Sequence, residues 1–216
     1  MITFLVVLVG WVFSLCLHEF SHAMVAYLGG DYTVREKGYL TFNPLKYTHP
    51  IYSLLLPILF LVMGGIGLPG GAVYIETWRL RNKRWESAVS LAGPLSNLLL
   101  AVVLAVILQY APDGGGGAWP GLGFLALLQV SAVVLNLIPV PPFDGYGVVA
   151  PFLNPDLRMK ISRAGIFITL GVFFLLWYVP FINNIFWDIV GYLGNLLHLP
   201  YALVFLGYDQ FQFWKR

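Results

Sequence analysis

The 216-residue chain is 59% apolar and only 10% charged, which leaves too little polar surface to cover a water-soluble globule of this size. Its net charge of +2 is too small to indicate a nucleic-acid partner, and a single cysteine excludes an intramolecular disulfide. The composition therefore predicts a membrane protein, and we expect an all-α, polytopic protein of the cell membrane.

Six apolar segments are candidates for crossing the lipid bilayer, since a span needs about 20 residues. The first has no basic residue before it and no small-residue cleavage site, so we expect it to be retained rather than removed as a signal peptide. The second contains Pro57 and ends in a glycine-rich stretch, which favours a re-entrant loop. The segments cover residues 2–28, 51–68, 87–111, 121–139, 161–180 and 182–206.

The positions of the basic side chains support that topology, because short cytoplasmic loops collect Lys and Arg. If residues 51–68 are re-entrant, all 12 basic residues lie on one side of the membrane. If they cross it, 9 lie on one side and 3 on the other. We therefore predict five to six spans, with five favoured, an external Met1 and a cytoplasmic Arg216.

The loop after the first segment contains a short strand in the sequence-based prediction. Tyr39, Leu40, Thr41 and Phe42 follow a polar turn, and residues 72–75 form a second strand-like stretch. Because backbone groups in lipid must be paired, we predict that the two form a small β-sheet at the membrane surface. An exposed edge of this sheet would bind an extended substrate peptide.

The first apolar segment contains the pattern His-Glu-x-x-His, formed by His18, Glu19 and His22. On a helix, positions i and i+4 project from nearly the same face, so both imidazoles can bind one metal ion. The composition of this chain produces the pattern by chance in roughly one sequence per thousand. The alternative is a set of satisfied polar residues at a helix contact, which is disfavoured because ionisable groups are costly in lipid.

A catalytic zinc ion needs a third protein ligand and leaves a fourth position for water. Of the acidic residues, only Glu19, Asp144 and Asp188 lie in or just beyond an apolar stretch. Asp188 lies in an aromatic region typical of the membrane interface. Asp144 follows a proline-rich run that stiffens the chain, and the five-span topology places it at the depth of the histidines. Asp144 is the better candidate; the alternative is an aspartate that caps a turn.

Asn97, in the third apolar segment, is a candidate to hydrogen-bond the substrate backbone or the developing oxyanion. A helix-packing role beside Gly93 is an equally good interpretation.

Four ordered motifs in the first 150 residues resemble those of the site-2 protease family of intramembrane zinc metalloproteases (peptidase family M50), in its compact form without a PDZ domain. They are His18 to Ala23 followed by Ala26, Gly30 and Asp31; residues 40–45; residues 92–97; and residues 136–145.

The resemblance implies a zinc ion held by His18, His22 and Asp144, with Glu19 as the catalytic base. It also implies a catalytic core in residues 1–150, in which three helices carry the first, third and last motifs. Residues 151–216 would then form C-terminal transmembrane helices. The implied substrates are single-span or signal-peptide-like segments, cleaved within or near the lipid bilayer.

Two rival functions use the same residues. A zinc transporter or other metal-binding membrane protein would need the ligands without hydrolysis, whereas Glu19 favours hydrolysis because it supplies a base beside a bound water. A relative that only binds membrane segments is disfavoured, because every catalytic position is filled.

Overall fold

The computed structural model describes residues 1–47, 73–112 and 114–212. Within these ranges the chain forms nine α-helices and no β-strand. The helices are α1 (Ile2–Gly29), α2 (Thr33–Glu36), α3 (Lys83–Leu108), α4 (Trp119–Asn136), α5 (Asp144–Val149), α6 (Pro155–Arg163), α7 (Gly165–Tyr178), α8 (Pro180–Leu196) and α9 (Tyr201–Phe211). Short 3₁₀ turns lie at Pro44–Lys46, Thr77–Arg79 and Ala150–Phe152.

Three of these helices, α1, α3 and α4, are long and apolar enough to cross a membrane. The pair α6 and α7 would add a fourth span, although the two helices bend by 66° at their junction. The predicted last segment divides into α8 and α9 at residues 197–200, where His198 has a positive φ of 54° and Pro200 directly precedes α9. The described residues thus contain three or four candidate spans, so the predicted count of five to six is not confirmed. The predicted re-entrant segment, residues 51–68, lies outside the described residues.

The helices α1, α3 and α4 pack against one another, and α9 packs against α4. Glycines lie where the helices come closest. A Cβ atom at Gly10 of α1 would overlap Leu125 of α4, and one at Gly207 of α9 would overlap the carbonyl of Pro120. Small residues at such contacts are how helices associate closely in lipid.

Capping residues set the end of α1, which carries the histidine motif, and the start of α3, which packs against α1. Helix α1 ends at Gly29 and is capped by Gly30, whose φ of +117° is the left-handed conformation that glycine adopts freely. Helix α3 begins at Lys83 and is capped by Asn82, whose side chain accepts hydrogen bonds from the N–H groups of Arg84 and Trp85.

The predicted β-sheet is not found among the described residues. The chain bends from Leu40 to Phe42, where Thr41 Oγ1 donates to Gly38 O and Tyr47 Oη lies 2.8 Å from Thr41 O. Side chains thus bind carbonyl groups that a β-ladder would use. Residues 73–75 are extended without a partner strand in the described part of the chain, and residue 72 lies outside it.

The loop after α2 folds back along the middle of α1. The ring of Phe42 stacks on those of Phe13 and Phe20, with centroids 5.9 and 5.0 Å away. Because His18 lies between these two positions on α1, the loop reaches the level of the histidine motif. Irregular backbone at membrane depth must be covered by protein or water.

Candidate metal centre

Three side chains converge where α5 meets α1. His18 and His22 lie one turn apart on α1, and Asp144 is the first residue of α5. The two histidine Nε2 atoms are 3.0 Å apart, and the Asp144 oxygens lie 3.1 Å from His18 Nε2 and 3.4 Å from His22 Nε2. Among the described residues, this is the only group of three His, Cys, Asp or Glu side chains arranged to share an ion.

The spacing fits one tetrahedral zinc ion. Ligands bound at about 2.0–2.1 Å to such an ion lie about 3.4 Å from each other. Asp144 Oδ2 is buried and makes no hydrogen bond of acceptable geometry in the described structure, although it lies 3.1 Å from His18 Nε2. An oxygen so placed suits a cation better than an N–H donor. Two imidazoles and one carboxylate also match the donor set of catalytic zinc sites.

One face of α3 holds both imidazole rings. His22 Nδ1 lies 2.6 Å from the carbonyl oxygen of Val89, and His18 Nδ1 lies 3.3 Å from Asn97 Oδ1. When each Nδ1–H donates to its acceptor, the lone pair of Nε2 is free to bind a metal; this tautomer is inferred from the partners. Asn97, predicted to contact substrate or pack against a helix, thus contacts the Nδ1 edge of the His18 ring, away from Nε2.

Gly93 lies between these two contacts on the same face of α3. A Cβ atom there would lie 2.5 Å from His18 Nε2 and 2.6 Å from its Cε1, and would also meet His22 Nε2. The helix backbone therefore approaches the ligand atoms as only glycine allows. The sequence analysis gave Gly93 no such role, although the four-residue spacing of Val89, Gly93 and Asn97 places them on one helix face.

Glu19 follows His18 on α1 and is 4% exposed. The N–H of Val73 donates a hydrogen bond to Glu19 Oε2 over 3.2 Å. This contact engages one of the two carboxylate oxygens and so restricts the orientation of the group. A buried, oriented carboxylate beside a pair of metal-binding histidines has the chemistry of a general base.

The four residues predicted to bind substrate lie beside α1 and outside the ligand group. Tyr39 is buried, whereas Phe42 is 49% exposed. Neither Leu40 nor Thr41 belongs to a strand edge in the described chain. Their contact with substrate stays a prediction. Asp188, the carboxylate that the sequence analysis set aside as a ligand, is exposed on α8 and is not one of the three side chains of the ligand group.

Comparison with known proteins gives relatives along nearly the whole chain. The relatives described below share the name "Putative zinc metalloprotease". Rip2 of Mycolicibacterium smegmatis is 45% identical and Rip2 of Mycobacterium tuberculosis 42% identical, each over 213 residues that cover 98% of this chain and 82% of the relative. YwhC of Bacillus subtilis is 30% identical over 190 residues, 82% of each chain. No family model and no solved structure matches the chain.

Proposed function

Because the chain belongs to the site-2 protease family of zinc metalloproteases, we propose that it is an intramembrane endopeptidase. It hydrolyses peptide bonds within or near the transmembrane segments of membrane-protein substrates. The observation that carries this proposal is the ligand group of His18, His22 and Asp144, with Glu19 beside it on a helix apolar enough to cross a membrane.

The depth of the ligand group supports a substrate that lies in lipid. His18 precedes the end of α1 at Gly29 by roughly 16 Å of helix. A peptide bond that reaches this level belongs to a segment inserted in the bilayer. Single-span proteins and signal-peptide-like segments are the substrates of that kind, and the protease itself is a multi-pass protein of the cell membrane.

Zinc, when bound by the two histidines and the aspartate, supplies a water acidified to a pKa of about 7 and polarises the scissile carbonyl. Glu19 accepts the proton of the attacking water and delivers it to the leaving amide nitrogen. The N–H of Val73 holds Glu19 Oε2, so the carboxylate keeps one orientation. Val89 O and Asn97 Oδ1 hold the rings with Nε2 towards Asp144.

A helical substrate hides its backbone in hydrogen bonds, so it must unwind locally before attack. Phe42 is our candidate for an apolar contact with the unwound segment. It is partly exposed and lies against Phe20, close to the level of His18.

The test is Glu19→Gln in the purified protein. We expect zinc content to stay normal while cleavage falls by about 10²- to 10⁴-fold, because the ligands remain and the base is lost. Cleavage is measured on a panel of single-span peptides in lipid nanodiscs, with and without a chelator, and zinc by elemental analysis. Glu36→Gln, on the exposed side of α2, is the matched control and should cleave normally. Near-normal turnover by Glu19→Gln at normal zinc content would sink the mechanism.

A zinc-uptake assay in proteoliposomes, run beside the cleavage assay on the same proteins, separates the protease from a zinc transporter. A transporter would carry zinc into proteoliposomes in both the wild type and Glu19→Gln, and neither protein would cleave a peptide. A protease shows chelator-sensitive cleavage that disappears in Glu19→Gln alone.

A further inference from the structure

Asp31, just beyond the end of α1, is a charged side chain with 0% exposure. Its Oδ1 accepts hydrogen bonds from the N–H and the hydroxyl of Thr33, at 3.1 and 2.6 Å, and its Oδ2 accepts one from Glu76 N–H at 2.8 Å. Three donors compensate for burial of the charge. Asp31 therefore ties the end of α1 to residues 73–76.

The same short segment reaches Glu19 at its other end, where Val73 N–H donates to Glu19 Oε2. Its side chains alternate as they do in extended backbone. Val73 and Ile75 pack into the apolar cluster beside α1, whereas Tyr74 is exposed. The segment is thus attached to α1 twice, by Asp31 and by Glu19.

Glu76 has further partners on the surface. Its carboxylate accepts hydrogen bonds from Arg79 Nε at 2.6 Å and from Lys37 Nζ at 2.9 Å. Lys37 Nζ also lies 3.3 Å from Tyr74 O. Ion pairs of this kind are screened by solvent and stabilise weakly. The buried contact with Asp31 is the stronger restraint on the segment.

We propose that Asp31 is a positioning residue for the general base. Through Glu76 N–H it fixes residues 73–76, and through Val73 N–H that segment holds one oxygen of Glu19, which leaves the other to take the proton. The inference rests on the proposed function, because it requires Glu19 to act as the base. Misplacing a catalytic group by about 1 Å costs on the order of 100-fold in rate.

The first test is Asp31→Asn in the full-length, zinc-loaded protein. The single amide oxygen of Asn would stay with the two donors of Thr33, so its nitrogen, which cannot accept a hydrogen bond, would face Glu76 N–H and that contact would be lost. We expect kcat to fall roughly 10- to 100-fold on a peptide that the wild type cleaves. KM and zinc content should stay unchanged, since neither substrate contacts nor ligands are altered. Asp156→Asn makes the same chemical change at an exposed site on α6 and should have no effect.

Thr33→Val separates positioning from a purely structural role. It removes the hydroxyl donor to Asp31 Oδ1 and keeps the contact between Oδ2 and Glu76 N–H. Positioning through Glu76 predicts near-normal kcat for Thr33→Val. If Asp31 only stabilises the turn into α2, Thr33→Val and Asp31→Asn should lower kcat by comparable factors. That result would overturn the inference.

Hydrogen exchange and a second variant complete the test. Amide exchange in residues 73–79 should be faster in Asp31→Asn than in the wild type. Val73→Pro, which removes the N–H that holds Glu19, should lower kcat at normal zinc content even if Asp31→Asn fails to fold. If the wild type cleaves a peptide, unchanged exchange in Asp31→Asn overturns the inference and leaves the proposed function standing. A normal kcat in Asp31→Asn or in Val73→Pro does the same. A wild type that cleaves no peptide of the panel overturns both.

Discussion

A methyl group at Gly93 is the sharpest perturbation of the metal centre that the structure offers. The Cβ of Gly93→Ala would lie 2.5 Å from His18 Nε2, whereas ordinary contact begins near 3.4 Å, so ring or helix must move by about 1 Å. The rings cannot turn away without cost, because Asn97 and Val89 O hold their Nδ1 atoms. We expect zinc affinity to fall about 10- to 100-fold and cleavage by about 100-fold or more.

The assay titrates zinc out of the purified variant with a chelator of known affinity and measures peptide cleavage in parallel. Gly171→Ala on α7 is the matched control, because a Cβ atom there meets nothing within 4 Å. It should keep both zinc and activity. Wild-type zinc affinity together with wild-type cleavage in Gly93→Ala would refute the reasoning from the close approach of α3.

Three further predictions concern the ligands, the surface and the topology. Asp144→Asn should weaken zinc retention and cleavage together, as measured by elemental analysis and the peptide assay. Glu76 has its pKa lowered from 4.5 to about 2 by hydrogen bonds from its two cationic partners, so its stabilising effect is complete above pH 4.5 and is lost as the pH falls towards 2. The difference in thermal midpoint between wild type and Glu76→Gln should shrink over that range. In a Cys16→Ser background, an impermeant thiol reagent should label Gly116→Cys in intact cells and Trp78→Cys, whose native side chain is 74% exposed, only after permeabilisation.

Each of these has a contrary outcome. Full zinc and activity in Asp144→Asn would remove that residue from the centre. A midpoint difference that stays constant down to pH 2 would mean that the stabilising effect of Glu76 does not depend on its charge. Labelling at position 78 from outside, with 116 protected, would mean that residues 51–68 cross the membrane and that the five-span topology is wrong.

Much of the candidate centre could be predicted from the sequence, because its signals are local. The four-residue spacing of His18 and His22 places both rings on one helix face, whatever packs against it. Composition alone indicates a membrane protein, and in lipid an ionisable group calls for a functional explanation. Asp144 could be selected because few other carboxylates lie near an apolar stretch.

The conformation of the loop segments could not be predicted from the local sequence. The residues from Tyr39 to Phe42 and the polar turn before them predict a strand, yet the observed backbone depends on Tyr47, whose hydroxyl donates to the carbonyl of Thr41. Strand formation requires a partner edge, and strand-favouring residues in one segment do not supply one. The clamp between Asp31 and Glu76 N–H likewise joins residues 45 apart, so its existence depends on where the chain returns.

The sequence by itself determined the membrane class, the helical histidine motif and a short list of carboxylates that could complete a zinc site. Only the tertiary structure decided that α3 lies across the two rings, with Val89 O and Asn97 behind them and the bare backbone of Gly93 against their Nε2 atoms. The reason is physical. Side-chain direction along one helix follows from its 3.6-residue period, whereas the face that a second helix presents depends on close packing between residues far apart in the chain.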